Sequence, residues 1–180
     1  MSRIEAVRRE ALTAEGQATW DRIATGRNGR VGGPYTALLH VPGLADRVRA
    51  LGDYFRGEAE LPPADIELAI LATVREAGAR YAWARHEVRA REVGTRPEAI
   101  EALRANGPVD SLSPRERLVV AVARSLLRTR ALDDDLFARA REELGERQLV
   151  ELVTLVGHYS LVGFVLNAFE IPPPDEGPTF

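Results

Sequence analysis

The chain has 180 residues, enough for one domain with its own core. An apolar share of 45%, a charged share of 28% and a net charge of −3 describe an ordinary globular protein with no electrostatic footprint for nucleic acid. There is no cysteine and all 24 basic residues are arginine, which excludes disulfides, thiolate metal sites, thiol catalysis, lysine Schiff bases and the lysine of a phosphate-binding loop.

The N-terminal stretch "MSRIEAVRREALTAEG" lacks the apolar segment of a signal peptide, and no apolar run reads as long enough to span a membrane. A soluble, cytoplasmic protein without membrane or nucleic-acid partners is expected. Thr13 is placed to cap a helix running to about Ala24, which "TGRNGRVGGP" breaks with four glycines and a proline. "YTALLH" reads as a short helix ended by Pro42 and Gly43. In "LADRVRALGDYFRG", apolar residues at 44, 48, 51 and 55 mark one helical face.

"LPPADIELAILATVREAG" opens on prolines and closes at Gly78, and its dense apolar content predicts a central helix. A helix from about 80 to 93 follows, ended by Gly94. Thr95–Glu98 and Ser113–Glu116 both match the capping box and predict helices near 96–105 and 114–130. Asp133 to Asp135 cap another helix, which ends at Gly145. The last helix, about 146–169, is apolar nearly all round, so it is expected to pack at a subunit interface. No segment reads as a strand. The fold class is all-α: one domain over 1–171 and an irregular tail over 172–180. "DIELAILATV" and "LVELVTLVGH" form a faint internal echo, each with a glutamate, Glu67 and Glu151, inside an apolar helix.

Ala79, Ala82 and His86 are spaced by three and four, which places them on one helical face, with Tyr81 and Trp83 flanking it. Glu67 lies in an apolar stretch, a costly place for a carboxylate without a partner. A turn at Gly78 makes the two helices antiparallel. Glu67 is eleven residues before it and His86 eight after it, so the two stand at similar heights. A carboxylate paired with an imidazole is a competent acid–base device, because the carboxylate fixes the ring's tautomer and raises its basicity. A buried Glu–His pair tying two helices together is the other reading of the same spacing.

The frame of Glu67, eleven residues, then positions 79, 82 and 86 resembles that of the carboxymuconolactone decarboxylase and AhpD-like family. In the family's peroxidase branch, cysteines occupy the positions of Ala79 and Ala82. "YAWARH" is similar to the branch that lacks them, and "GRVGGPYTALLHVPGL" and "VELVTLVGHYSLVGFVLNAFEI" extend the likeness from about 25 to 171. The resemblance implies an AhpD-like oligomer, a trimer or hexamer. It also implies a cofactorless lyase that uses no metal and acts on a small carboxylate or lactone. In that reading His86 is the proton donor or electrophile, Glu67 orients it or relays the proton, and Tyr81 and Trp83 wall the pocket. A two-thiol peroxide relay is not expected, because alanine can neither attack nor resolve. The alternative is a non-catalytic oligomeric binding protein of the same fold.

Other residues carry weaker signals. Arg27 and Arg30 could close over an anion or form a solvated loop. His40 could contact substrate or interact with a helix C-terminus. His158 reads as an interface histidine or a second pocket residue, and Asn167 as a group satisfying backbone. Arg85 is expected to point away into a surface salt bridge. The three histidines show no metal-ligand spacing, so no metal is expected. The Arg/Glu alternation in "ARHEVRAREVGTR" reads as a solvated face.

Overall fold

The computed structural model describes residues 2–27, 29–174 and 177–180, and no strand occurs among them. Eight α-helices follow in order: α1 (Ala14–Thr25), α2 (Tyr35–Leu38), α3 (Pro42–Gly57), α4 (Pro63–Glu76), α5 (Arg80–Glu92), α6 (Pro97–Ala105), α7 (Pro114–Thr129) and α8 (Asp134–Ala168). Thr13 caps α1 by accepting from the Gly16 amide, and Asp133 caps α8 by accepting from the Leu136 amide. The box at Ser113 and Glu116 forms in full. The one expected at Thr95 does not. Arg96 takes the N-cap position of α6, and the Thr95 hydroxyl donates instead to the Ala64 carbonyl. Gly145, at φ 72° and ψ 168°, breaks α8 where the sequence placed a helix end.

α4 is the hub. It packs against α5, α6, α7 and α8, and every residue from Asp65 to Val74 is buried. A smaller apolar cluster joins α1, α2 and α3 through Ile23, Leu38, Leu39, Ala45 and Val48. The apolar face of α3 is turned from the expected one. Val48 and Phe55 are buried with Ala45 and Gly52, whereas Leu44 and Leu51 are exposed. Small residues let α3 approach its neighbours closely, so Ala and Gly take the inward positions that leucine was expected to fill.

α8 corrects the reading that no run could span a membrane. It is long and apolar enough by length and composition, with a window of mean hydropathy 1.8, but 56% of that window is buried inside the protein. It is a core helix with one uncovered side. The described part of the tail carries no helix or strand, yet it is packed. Phe180 meets the Trp83 ring edge-on at 5.2 Å, and the Arg75 guanidinium lies 4.3 Å from the Phe180 ring centroid.

Candidate active site

The turn at Gly78 brings α5 back along α4, and the Nδ1 atom of His86 lies 2.7 Å from Oε2 of Glu67. A carboxylate oxygen only accepts, so the ring's Nδ1 carries the proton of this bond. Glu67 is buried and the His86 side chain is 22% exposed. That remaining exposure opens onto a cavity of about 800 Å³ bounded by residues 26, 27 and 30–34, α3, α5 and α8. Nδ1 is committed to Glu67, so Nε2 is the nitrogen left for a ligand.

The cavity wall is cationic and aromatic. Arg27, Arg30, Arg56, Arg85 and Arg89 line it, together with Tyr35, Tyr81 and Tyr159, and among the described residues no carboxylate does. In a protein of net charge −3 this concentrates positive potential at one place. Arg27 is anchored: it donates to the Tyr35 hydroxyl at 3.0 Å, and its guanidinium lies 4.4 Å from that ring's centroid. Burial pulls the Arg27 pKa down and pushes that of Tyr35 up. Arg89 pairs with Glu92 at 3.1 Å. Arg85 and Arg30 have no ion-pair partner among the described residues.

Arg85 thus lines the cavity instead of forming a surface salt bridge. Positions 81, 85 and 89 lie in one row of the helix, and the cavity spans an arc wide enough to include that row and His86. The Arg/Glu alternation is solvated at Arg85, Arg89, Arg91 and Glu92 and departs from that reading at Glu87. Its arginines 85 and 89 meet the cavity, while Glu87 is buried on the opposite side.

Tyr81 lines the cavity, as expected for a wall residue, and Trp83 does not. Residues two apart on a helix are about 200° apart around it, so both cannot face one hollow. Trp83 is fully buried in the core, where its indole nitrogen donates to Glu87 at 2.8 Å and Arg104 pairs with the same carboxylate at 2.5 Å. His40 also lies outside the cavity. The turn after α2 points it outward, and its Nε2 meets the Glu5 carbonyl at 2.9 Å on the surface. Arg30 and His158 do line the cavity. Asn167 donates to the Ala77 carbonyl at 2.7 Å, tying α8 to the turn before α5.

Gly33, at φ +60°, lets the loop lie against the Tyr81 ring. A Cβ there would come within 2.6 Å of Tyr81 Cε1. Gly52 does the same for His158, whose Nε2 would meet an added Cβ at 3.3 Å. Sequence reasoning passed over Tyr159 as a pocket residue. Its ring meets His86 edge-on at 4.8 Å and His158 at 5.1 Å, and burial, followed by the Glu67 charge, keeps its hydroxyl protonated well above the usual range. The apolar surroundings of α8 hid it, because a tyrosine in such a run reads as core. Among the described residues no three His, Asp or Glu side chains gather as metal ligands.

Burial, with smaller contributions from Arg56, His86 and Arg27, lowers the His158 pKa from 6.5 to about 4. The unfolded chain binds this proton below about 6.5, and the folded protein refuses it until about 4. Acidification across that window therefore favours unfolding, by on the order of 3 kcal/mol in total. Denaturant titrations at pH 7 and pH 4.5 are expected to show a smaller acid loss in His158→Gln than in the parent. Equal losses would contradict the assignment.

Residues 42–125 match the carboxymuconolactone decarboxylase family. The solved structure of the alkylhydroperoxidase AhpD core of an uncharacterized peroxidase-related protein from Ralstonia eutropha JMP134 is similar, with a TM-score of 0.82 at 18% identity over 97% of this chain and 93% of that one. An uncharacterized peroxidase-related protein from Silicibacter sp. TM1040 superposes with a TM-score of 0.79 at 17% identity, over 97% and 93% of the two chains. A protein of unknown function from Agrobacterium tumefaciens gives 0.68 at 19% identity, over 78% and 97%. These likenesses establish the AhpD-like fold. No curated protein sequence matches the chain.

Proposed function

We propose, on the premise that the chain belongs to the carboxymuconolactone decarboxylase family, that it is a cofactorless lyase or proton-transfer enzyme acting on a small anionic carboxylate or lactone. The observation that carries this reading is the 2.7 Å Glu67–His86 pair, whose imidazole sits in the wall of a cavity lined by five arginines and, among the described residues, no carboxylate. Such a wall draws in an anion and holds its carboxylate by charge-assisted hydrogen bonds.

On a lactone carboxylate the chemistry balances as follows. The bond to the carboxyl carbon breaks and carbon dioxide leaves. The electron pair passes through the conjugated system to the lactone's carbonyl oxygen as an enolate. The Tyr159 hydroxyl, kept protonated by burial, and an arginine of the wall donate to that oxygen. The imidazolium form of His86 gives its Nε2 proton to carbon, while Glu67 holds Nδ1 and stabilises the charged ring before transfer. Solvent then restores the proton. A thiol relay has no atoms to run on, since alanine stands at 79 and 82 and the chain has no cysteine.

Incubation of the purified protein with carboxymuconolactone, with carbon dioxide release followed directly, tests the reading. Release at rates of about 1 s⁻¹ or more is expected of a working active site. No release from this or any small lactone or β,γ-unsaturated carboxylate, despite saturable binding, would leave the site a binding pocket and contradict the enzymatic reading.

A further inference from the structure

Among the five arginines of the cavity wall, Arg27 stands apart. Arg30, Arg56, Arg85 and Arg89 are exposed, and Arg56 and Arg89 are already bound to Asp53 and Glu92. Arg27 is partly buried and has no ion-pair partner among the described residues. Asp53, whose charge reaches it, is taken up by Arg49 and Arg56. A guanidinium withdrawn from water in this way costs stability until an anion joins it.

Its neighbours fix its position and leave its charge uncompensated. Arg27 follows Gly26, the C-cap of α1, and its amide donates to the Ala24 carbonyl at 2.9 Å. Its guanidinium donates to the Ile23 carbonyl at 3.3 Å and to the Tyr35 hydroxyl at 3.0 Å, and lies over the Tyr35 ring. A guanidinium has five N–H groups, so about three remain for a ligand. The Tyr35 hydroxyl accepts from Arg27, and its own proton has no acceptor among the described residues. The two side chains thus offer a cationic fork beside a phenolic donor, which suits a carboxylate. Tyr35 is buried in the cluster of α1, α2 and α3, so the pair is held in place before a ligand arrives.

The pair shares one cavity with the acid. Arg27, Tyr35, His86 and His158 all line it, and the charges of Arg27 and His86 both reach His158. In a decarboxylation the departing carboxyl loses its charge on the way to carbon dioxide. A guanidinium bound to that group would hold the ground state more tightly than the transition state and slow the reaction. We propose that Arg27 and Tyr35 form a specificity-determining receptor for a carboxylate that the reaction leaves in place, while the exposed Arg30 and Arg85 draw anions towards the cavity. The assignment rests on the reading of the site as a decarboxylating lyase.

Two measurements separate the receptor from that reading. Calorimetric titration with benzoate, against uncharged benzamide of the same shape, probes the receptor without turnover. The parent is expected to bind benzoate about tenfold or more tighter than benzamide, and Arg27→Gln to abolish the preference. Tyr35→Phe keeps the ring beneath the guanidinium and should weaken benzoate binding by roughly threefold to tenfold. Arg85→Gln should weaken it less, and about 0.5 M salt should erase that loss but not the one at Arg27. A parent without the preference, or an undiminished preference in Arg27→Gln, overturns the receptor. If Arg27→Gln does not fold, unchanged benzoate affinity in Tyr35→Phe overturns it alone. With the lactone as substrate, Arg27→Gln should raise KM by about tenfold or more and keep kcat within about threefold, the mark of binding that is equal in ground and transition states. A lower kcat at unchanged KM would place Arg27 on the enolate, which overturns the receptor and leaves the lyase reading intact. Benzoate discrimination through Arg27 without carbon dioxide release would end the lyase reading and leave the anion receptor standing.

Discussion

His86→Ala is expected to lower kcat for the decarboxylation by roughly 10²–10⁴-fold, the range of a lost general acid. The ring is partly exposed, towards the cavity, and contributes one hydrogen bond to the fold, to Glu67. Its removal leaves space beside that carboxylate which cavity water can enter, so the melting temperature should move by no more than about 4 °C. Initial rates of carbon dioxide release and a thermal scan on the same preparation check both halves. A large loss of stability accompanied by intact turnover would identify the pair as a helix tie and nothing more.

The second large effect falls on the other glutamate of the internal echo, and it is structural. Glu151 accepts from the Tyr54 hydroxyl at 2.7 Å, from the Glu60 amide at 3.0 Å and from the Leu61 amide at 2.9 Å. Burial works to raise its pKa, but these hydrogen bonds overcome it and hold the carboxylate below the usual range. Glu151→Ala strands two backbone amides just before α4, the hub of the core, where no other group among the described residues receives them. A loss of about 3 kcal/mol is expected, or roughly 6–12 °C in melting temperature. Chemical denaturation measures it. A loss below about 0.5 kcal/mol would mean that water replaces the carboxylate without cost.

These two glutamates show how far the sequence could be read. Glu67 and Glu151 sit in near-identical apolar contexts, and the pattern marks both as buried carboxylates that need partners. Which one meets an imidazole and which one caps a chain entry depends on residues 19 and about 90 positions away, and on the angle between helices. Glu67–His86 was legible because both lie on one hairpin of known rise per residue. The helices were legible for the same local reason, apart from Thr95, whose hydroxyl finds a carbonyl on α4 in place of its own helix.

What escaped were matters of helical azimuth and long-range approach. Tyr81 and Trp83 look equivalent in "YAWARH", but their places around α5 send one to the cavity and the other to Glu87 and Phe180. Arg85 and Arg89 read as solvated charges, and both are exposed, yet they also border the cavity that α5 shares with α8 and residues 30–34. His40 follows a helix so short that the turn after it, and not the periodicity, decides its direction. Tyr159 carries no local polar signal at all. It becomes a site residue because α8 lies across His86.

The central claim is that Glu67 and His86 act as one device, and a double-mutant cycle measures this most directly. Glu67→Gln, His86→Gln and the double variant are compared by kcat/KM for carbon dioxide release. If the carboxylate works only through the ring, the double variant loses no more than His86→Gln alone, within about threefold. Losses that multiply would show two groups acting independently on the substrate and would contradict the account.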